Sequence, residues 1–168
     1  IPNVLSIEED QAVSGLDIQN YESPTPSWGL DRIDQRTPVN ATTSYGYRSA
    51  GTGATAYIAD TGIYPHNDFA ARLSSNGYSA ISDGNGTIDC NGHGTHVAGT
   101  VAGTKYGVAK NARLVPVRIL NCAGSGAYSG VIAGLDWILS PENLNPKTAA
   151  VVNMSNKCWH HSCGRCRQ

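Results

Sequence analysis

Asp89-Cys-Asn-Gly-His93-Gly-Thr-His96-Val-Ala-Gly-Thr100 is the stretch on which the reading of this chain turns. Its glycines let the backbone bend sharply and expose an imidazole, and the small residues after it allow a helix to pack closely. A histidine that must reach a substrate needs both an open approach and a tight scaffold. On its own the stretch also fits a Gly-rich loop with two ordinary histidines, so the neighbouring sequence has to decide.

Upstream, Ala54-Thr-Ala-Tyr-Ile-Ala59 reads as a short apolar strand running into Asp60-Thr61-Gly62. Downstream of His93 a helix of small residues is expected, then a strand at Arg113-Leu-Val-Pro-Val-Arg-Ile-Leu120, where Pro116 removes a ladder donor. Gly130-Val-Ile-Ala-Gly-Leu-Asp-Trp-Ile-Leu139 places Val131, Leu135, Ile138 and Leu139 on one helical face. Ala149-Ala-Val-Val-Asn-Met154 is a third strand. Strands alternating with helices argue for an α/β fold with a parallel sheet. In such sheets functional side chains gather at the carboxyl ends of strands. Taken alone, Asp60 reads first as a turn residue bonding its own backbone. With the His93 stretch beside it, it reads as the acid that holds an imidazole in one tautomer.

Composition narrows the function classes. The 168 residues suit one domain, and a 40% hydrophobic content is enough for a core. With 15% charged residues and a net charge of −1, the chain has neither a nucleic-acid-binding profile nor an acidic tail. No apolar run reaches the ~18 residues that span a bilayer, so neither nucleic acid nor membrane is an expected partner. No signal peptide is visible, and the first residue is Ile1, so an upstream segment is expected to have been removed or not captured. Five cysteines leave at least one thiol unpaired within the chain. Residues 20–26, with Pro24 and Pro26, read as an extended linker, and residues 37–53 as loop.

Ala59-Asp60-Thr61-Gly62 and Asn91-Gly-His-Gly-Thr-His-Val-Ala-Gly-Thr100 resemble the Asp and His signatures of the subtilisin-like serine proteases. Tyr106-Gly-Val-Ala-Lys-Asn-Ala112, Gly124-Ser-Gly-Ala-Tyr-Ser-Gly130 and Trp28-Gly-Leu-Asp-Arg-Ile-Asp-Gln-Arg36 extend the likeness toward the proteinase K and aqualysin branch. The resemblance implies a serine-type endopeptidase that cuts polypeptide substrates outside the cell. Asp60 would orient the imidazole and His93 would be the general base, with His96 structural and turned into its helix. Gly124, Ser125 and Gly126 would pair with substrate backbone as an added strand, and Tyr128 would flank an outer subsite. Without the likeness, residues 124–126 read equally as a flexible loop. Cys90 and Cys122 would form a disulfide; in a reducing compartment they would be two thiols. Asp31, Asp34 and Gln35 match part of a calcium site, since hard oxygens suit an ion that takes about six to eight of them. Asn40-Ala-Thr-Thr43 departs from that site's spacing, and a solvated helix turn is the competing reading.

The likeness divides the chain into residues 1–19, 20–155 and 156–168. Residues 1–19 resemble the end of an inhibitory propeptide, a partner in inhibition and folding, with processing near Gln19 or Asn20. Residues 20–155 correspond to the N-terminal part of a three-layer parallel-sheet catalytic domain. After Val151-Val-Asn-Met-Ser155 the family pattern stops, and the family's oxyanion Asn and nucleophile segment are not found in residues 156–168. The resemblance therefore implies an incomplete fold, truncated before the catalytic serine and inactive alone. It would have an unpaired sheet edge and an uncovered apolar face, and its tail would come from a shifted frame or a junction. Two other functions compete: a non-catalytic peptide-binding pseudoprotease, and a zinc-binding tail built from Cys158, His160, His161, Cys163 and Cys166.

Overall fold

The computed structural model describes residues 17–20, 28–36, 44–143 and 149–155. Contacts divide the chain into two units, Ile1–Ser49 and Ala50–Gln168. In the first, β1 (Asp17–Asn20) pairs antiparallel with β2 (Ser44–Tyr47), and α1 spans Trp28–Ile33. Leu30 and Tyr45 form its small core with Tyr47, whose ring stacks on Tyr45 at 5.3 Å. The loop expected over residues 37–53 thus contains a strand. Its Tyr-Gly-Tyr alternation is too short to stand out from the Ser- and Thr-rich sequence around it. The 19/20 boundary expected from the sequence falls inside β1, and residues 156–168 lie outside the described residues.

In the second unit a parallel sheet runs in the order β4 (Tyr78–Ser79), β5 (Arg113–Arg118), β3 (Thr55–Asp60), β6 (Ala150–Asn153). Strands buried on both faces read as nearly unbroken apolar runs, which is why β3 and β5 stand out in the sequence. Alternation then sorts their side chains. Ala56, Ile58 and Leu114 face α2 (His93–Ala102) and pack with Ala98, Ala102, Ile63 and Phe69. Tyr57, Ala59, Val115 and Val117 face α3 (Tyr128–Leu139) and pack with Ile138, Val131, Leu135 and Trp137. Each fully buried aliphatic side chain here contributes about 1.5–3 kcal/mol. The sheet with one helix on each face makes three layers, as the family resemblance implied.

Pro116 lies in the middle of this sheet without cost. Leu114 and Arg118, at the same parity in β5, accept from the amides of Ser74 and Ala80 on the β4 side. Between the Leu73–Leu114 bridge and Tyr78, pairing on that side is interrupted. The missing N–H of Pro116 points into that gap. Leu139 departs from expectation: it is 65% exposed at the end of α3, and Trp137 packs inward instead against Tyr57 and Tyr78. On β6, Val151 and Val152 are exposed, and among the described residues the strand pairs on one side only, with β3.

Candidate active site

Asp60 is the last residue of β3 and His93 the first of α2. The parallel sheet thus delivers an acid at a strand's carboxyl end, and the glycines before and after His93 deliver a helix start beside it. His93 Nδ1 lies 2.7 Å from Asp60 Oδ1. The acid is fully buried, while the imidazole is 49% exposed. With Nδ1 bound to the carboxylate, Nε2 is left to the open side as the basic nitrogen. Asp60 Oδ1 also accepts the Thr61 amide at 2.7 Å. Its Oδ2 is buried and has no hydrogen-bond partner among the described residues.

The helix start is held by side chains as well as glycine. Gly92 takes φ 101°, a left-handed conformation that costs glycine little, and offers no side-chain cap. Asp89 supplies the cap from three residues earlier, accepting from the Asn91, Gly92 and Thr95 amides at 2.9 Å. Gly94 seats the turn against β3: its amide donates to Thr61 Oγ1 at 2.9 Å, and an added Cβ would collide with the Gly62 carbonyl. His96, expected to turn inward, is exposed. The residues facing the sheet are Gly94, Ala98 and Ala102, four apart, so position 96 falls on the other side of α2.

A second buried charge supports the same corner. Arg118, fully buried at the end of β5, donates twice to Asp83 at 2.6 Å and once to the Thr61 carbonyl at 3.1 Å. It also reaches the Gly86 carbonyl at 3.2 Å and Cys90 Sγ at 3.2 Å. The Asp83 hydrogen bonds hold the guanidinium above its ordinary range and the carboxyl well below its own. Cys90 and Cys122 are joined in a disulfide. Asp83 lies with both sulfurs, but the cysteines are paired with each other and offer no thiolate to a metal.

The segment expected to meet substrate sits against this scaffold. Asn91 Nδ2 donates to the Cys122 carbonyl at 2.9 Å, so the disulfide and one amide side chain tie residues 121–126 to the His93 loop. Gly124, Ser125, Gly126 and Tyr128 are all exposed, Tyr128 by 79%. Gly126 lies against the Ile119 carbonyl, where a Cβ has no room. The backbone of Ser125 is already used: its amide donates to Asn121 Oδ1 and its carbonyl accepts the Asn121 amide. Gln35 Nε2 donates to Asp31 Oδ1 at 3.2 Å, while Asp34 Oδ2 accepts the Gly46 amide at 2.6 Å. Each bond engages one oxygen of a carboxylate, and Gln35 uses its amide nitrogen rather than its ligand oxygen.

The profile of the subtilase family, peptidase S8, matches residues 51–160. The chain belongs to the subtilase family. It is 52% identical over 156 residues to an extracellular serine proteinase of Thermus sp. (strain Rt41A), covering 92% of this chain and 35% of that protein. Alkaline serine exoprotease A of Vibrio alginolyticus is 47% identical over 158 residues, covering 92% of this chain and 28% of the exoprotease. The crystal structure of a cold adapted subtilisin-like serine proteinase matches with a TM-score of 0.67 at 46% identity, over 77% of this chain and 46% of that one. The chain thus spans about a third of the length of these curated relatives. The family resemblance and the α/β class read from the alternating strands and helices are both borne out.

Sequence reading missed Thr61, Asp89, Asn121 and the Arg118–Asp83 pair. Asp89 carried a signal, an Asp just before a Gly-rich helix start, which is cap chemistry. Arg118 carried another, a lone charge inside an apolar strand, which calls for a buried partner.

Proposed function

We propose that this subtilase supplies the acid–base arm of peptide-bond hydrolysis, with polypeptides as substrates. The observation that carries the reading is the 2.7 Å bond between a buried Asp60 and a half-exposed His93. Asp60 keeps the imidazole proton on Nδ1, so Nε2 takes the proton of an attacking serine hydroxyl and returns it to the leaving amine. The buried carboxylate stabilises the imidazolium formed between those steps. In a water-poor setting that charge pairing is stronger than it would be in solvent.

No serine of residues 1–168 stands in a nucleophile motif, so a polypeptide of these residues alone should hydrolyse nothing. Incubation with casein and a fluorophosphonate probe tests this, and covalent labelling of any serine overturns it. The peptidase reading has its own test. A chimera with residues 20–155 in place of the matching part of the Thermus proteinase should cleave casein, and His93→Ala should abolish cleavage. A folded chimera without activity overturns the reading.

Four finer readings accompany this one. Gly124, Ser125, Gly126 and Tyr128 contact substrate; with Ser125 tied to Asn121, pairing falls to the neighbouring glycines. The disulfide and the extracellular relatives support secretion. Residues 1–19 act as an inhibitory segment processed near Gln19 or Asn20. Calcium at Asp31, Asp34 and Gln35 rests on their oxygen chemistry alone, and an unchanged melting temperature in chelator would remove it.

A further inference from the structure

Asp89 stands four residues before His93 and is only 7% exposed, yet no step assigned above uses it. Its carboxylate is saturated. Oδ1 accepts from the Thr61 hydroxyl at 2.8 Å and from the amides of Asn91 and Gly92 at 2.9 Å. Oδ2 accepts from the Thr95 amide at 2.9 Å and the Thr95 hydroxyl at 2.5 Å. A carboxylate has about four lone-pair sites, so nothing remains for a substrate or a proton shuttle. What matters is where the donors come from. Four belong to the start of α2, and the fifth belongs to Thr61 at the end of β3.

Thr61 carries the connection onward. Its amide donates to Asp60 Oδ1, its hydroxyl oxygen accepts the Gly94 amide, and its carbonyl accepts Arg118 Nε. Every polar atom of this buried residue is engaged, on both sides of the reacting pair. Asp60 and His93 lie on different elements, so their bond depends on the register between the end of β3 and the first turn of α2. The Asp89–Thr61 hydrogen bond spans that junction.

We propose that Asp89, acting through Thr61, is a positioning residue for the Asp60–His93 couple. Its consequence for catalysis rests on the peptidase reading; its effect on geometry does not. A plain helix cap is the competing role, and Thr61 separates the two. Thr61→Val removes the hydroxyl and with it two bonds, the one to Asp89 and the one from the Gly94 amide, so the double variant decides: Asp89→Asn in a Thr61→Val chain should add nothing further to the loss if Asp89 acts through Thr61, and should add its full effect if Asp89 is a plain cap.

The test is NMR of the 168-residue chain labelled with ¹⁵N-histidine, following the far-downfield Nδ1–H resonance of His93 and its exchange with solvent. The wild-type chain should show the resonance. Asp89→Asn and Thr61→Val should lose it or speed its exchange by roughly ten- to a hundredfold, as expected for one buried donor or acceptor left unpaired. Thr61→Ser, which restores the hydroxyl, should behave as wild type. A folded Thr61→Val chain with an unchanged resonance overturns the proposal. Should Asp89→Asn fail to fold, Asp89→Glu, which keeps the charge and displaces the carboxylate, takes its place in the same comparison with and without Thr61→Val. A wild-type chain without the resonance overturns the couple itself and everything built on it. In the active chimera, Thr61→Val should lower kcat and leave KM near its original value. A chimera that never cleaves casein, while the NMR pattern holds, overturns only the peptidase reading.

Discussion

Gly94 lies so close to the end of β3 that a methyl group on its Cα would collide with the carbonyl oxygen of Gly62. The same methyl would stand 3.1 Å from Thr61 Oγ1 and 3.2 Å from Asp60 Cβ, all on scaffold that has no flexible end to yield. Gly94→Ala should therefore push α2 off the strand and stretch the Asp60–His93 bond. Overpacking of this kind costs about 1–3 kcal/mol. A lowered melting temperature together with a lost Nδ1–H resonance would confirm it, and unchanged values of both would refute it.

Asp60→Asn keeps the shape of the site and reverses the tautomer it selects. An amide oriented to donate toward Nδ1 leaves the imidazole proton on Nε2, where it cannot accept from a hydroxyl. The expected loss in the casein-cleaving chimera is about 10⁴-fold in kcat, the scale of the same exchange in a chymotrypsin-type triad. A loss below tenfold would show that the carboxylate does not control the imidazole.

Acid should loosen the site through Asp89. Burial pushes its carboxyl up, but the Thr95 hydroxyl and the amides of Gly92, Asn91 and Thr95 outweigh it and bring it from 3.8 down to about 2. A carboxyl depressed by folding stabilises the fold fully above its unfolded value and loses that contribution as pH falls through its folded one. The window is thus between about pH 4 and pH 2, and the amount at stake is on the order of 2 kcal/mol. Unfolding followed by circular dichroism across that range should show the decline. In Asp89→Asn the decline should be shallower, from a lower starting stability.

Reduction should act on the same corner. The Cys90–Cys122 bond closes a loop with a sequence separation of 32, worth about 3–4 kcal/mol in the chain-entropy treatment. For a chain of this size that corresponds to roughly 10 °C in melting temperature. Cys90→Ser with Cys122→Ser should melt as the reduced wild type does. Equal melting with and without reductant would place the bond outside the stability of the fold.

The processing junction expected near Gln19 and Asn20 lies in β1, where these residues pair with Tyr45 and Ser44. A protease binds its substrate as an extended strand, so β1 must leave β2 before it is cut. The Gly46 amide is turned away to Asp34, so the amides of Tyr45 and Tyr47 face β1; Tyr47→Pro, which removes the one opposite Asp17, should speed cleavage by an added subtilisin-like protease, and N-terminal sequencing over time reads this directly. Unchanged timing would mean that β1 leaves β2 faster than it is cleaved.

Much of this site was legible because its parts are local. The unbroken apolar runs of β3 and β5 come from burial on both faces, and Asp60 and His93 follow directly from what ends a strand and opens a helix. β2 and β4 were not legible, since strands of four and two residues have too few side chains to show a period. Arg118 and Asp83 are 35 residues apart, and their bond exists only because β5 and the loop before α2 meet in the fold. Leu139 has the right spacing for the core, but spacing cannot tell where a helix runs past the sheet it covers.

The strand with Asp60, the helix with His93, the strand with Arg118 and the disulfide all lie between Thr55 and Cys122. At about 5–20 residues per second a ribosome completes such a stretch within seconds, and domains fold in that order as they emerge. Contacts of short sequence separation also form fastest. The Asp60–His93 pair and its supports are therefore the part of the chain suited to assemble early in synthesis, with its oxidative clasp closing last, at Cys122.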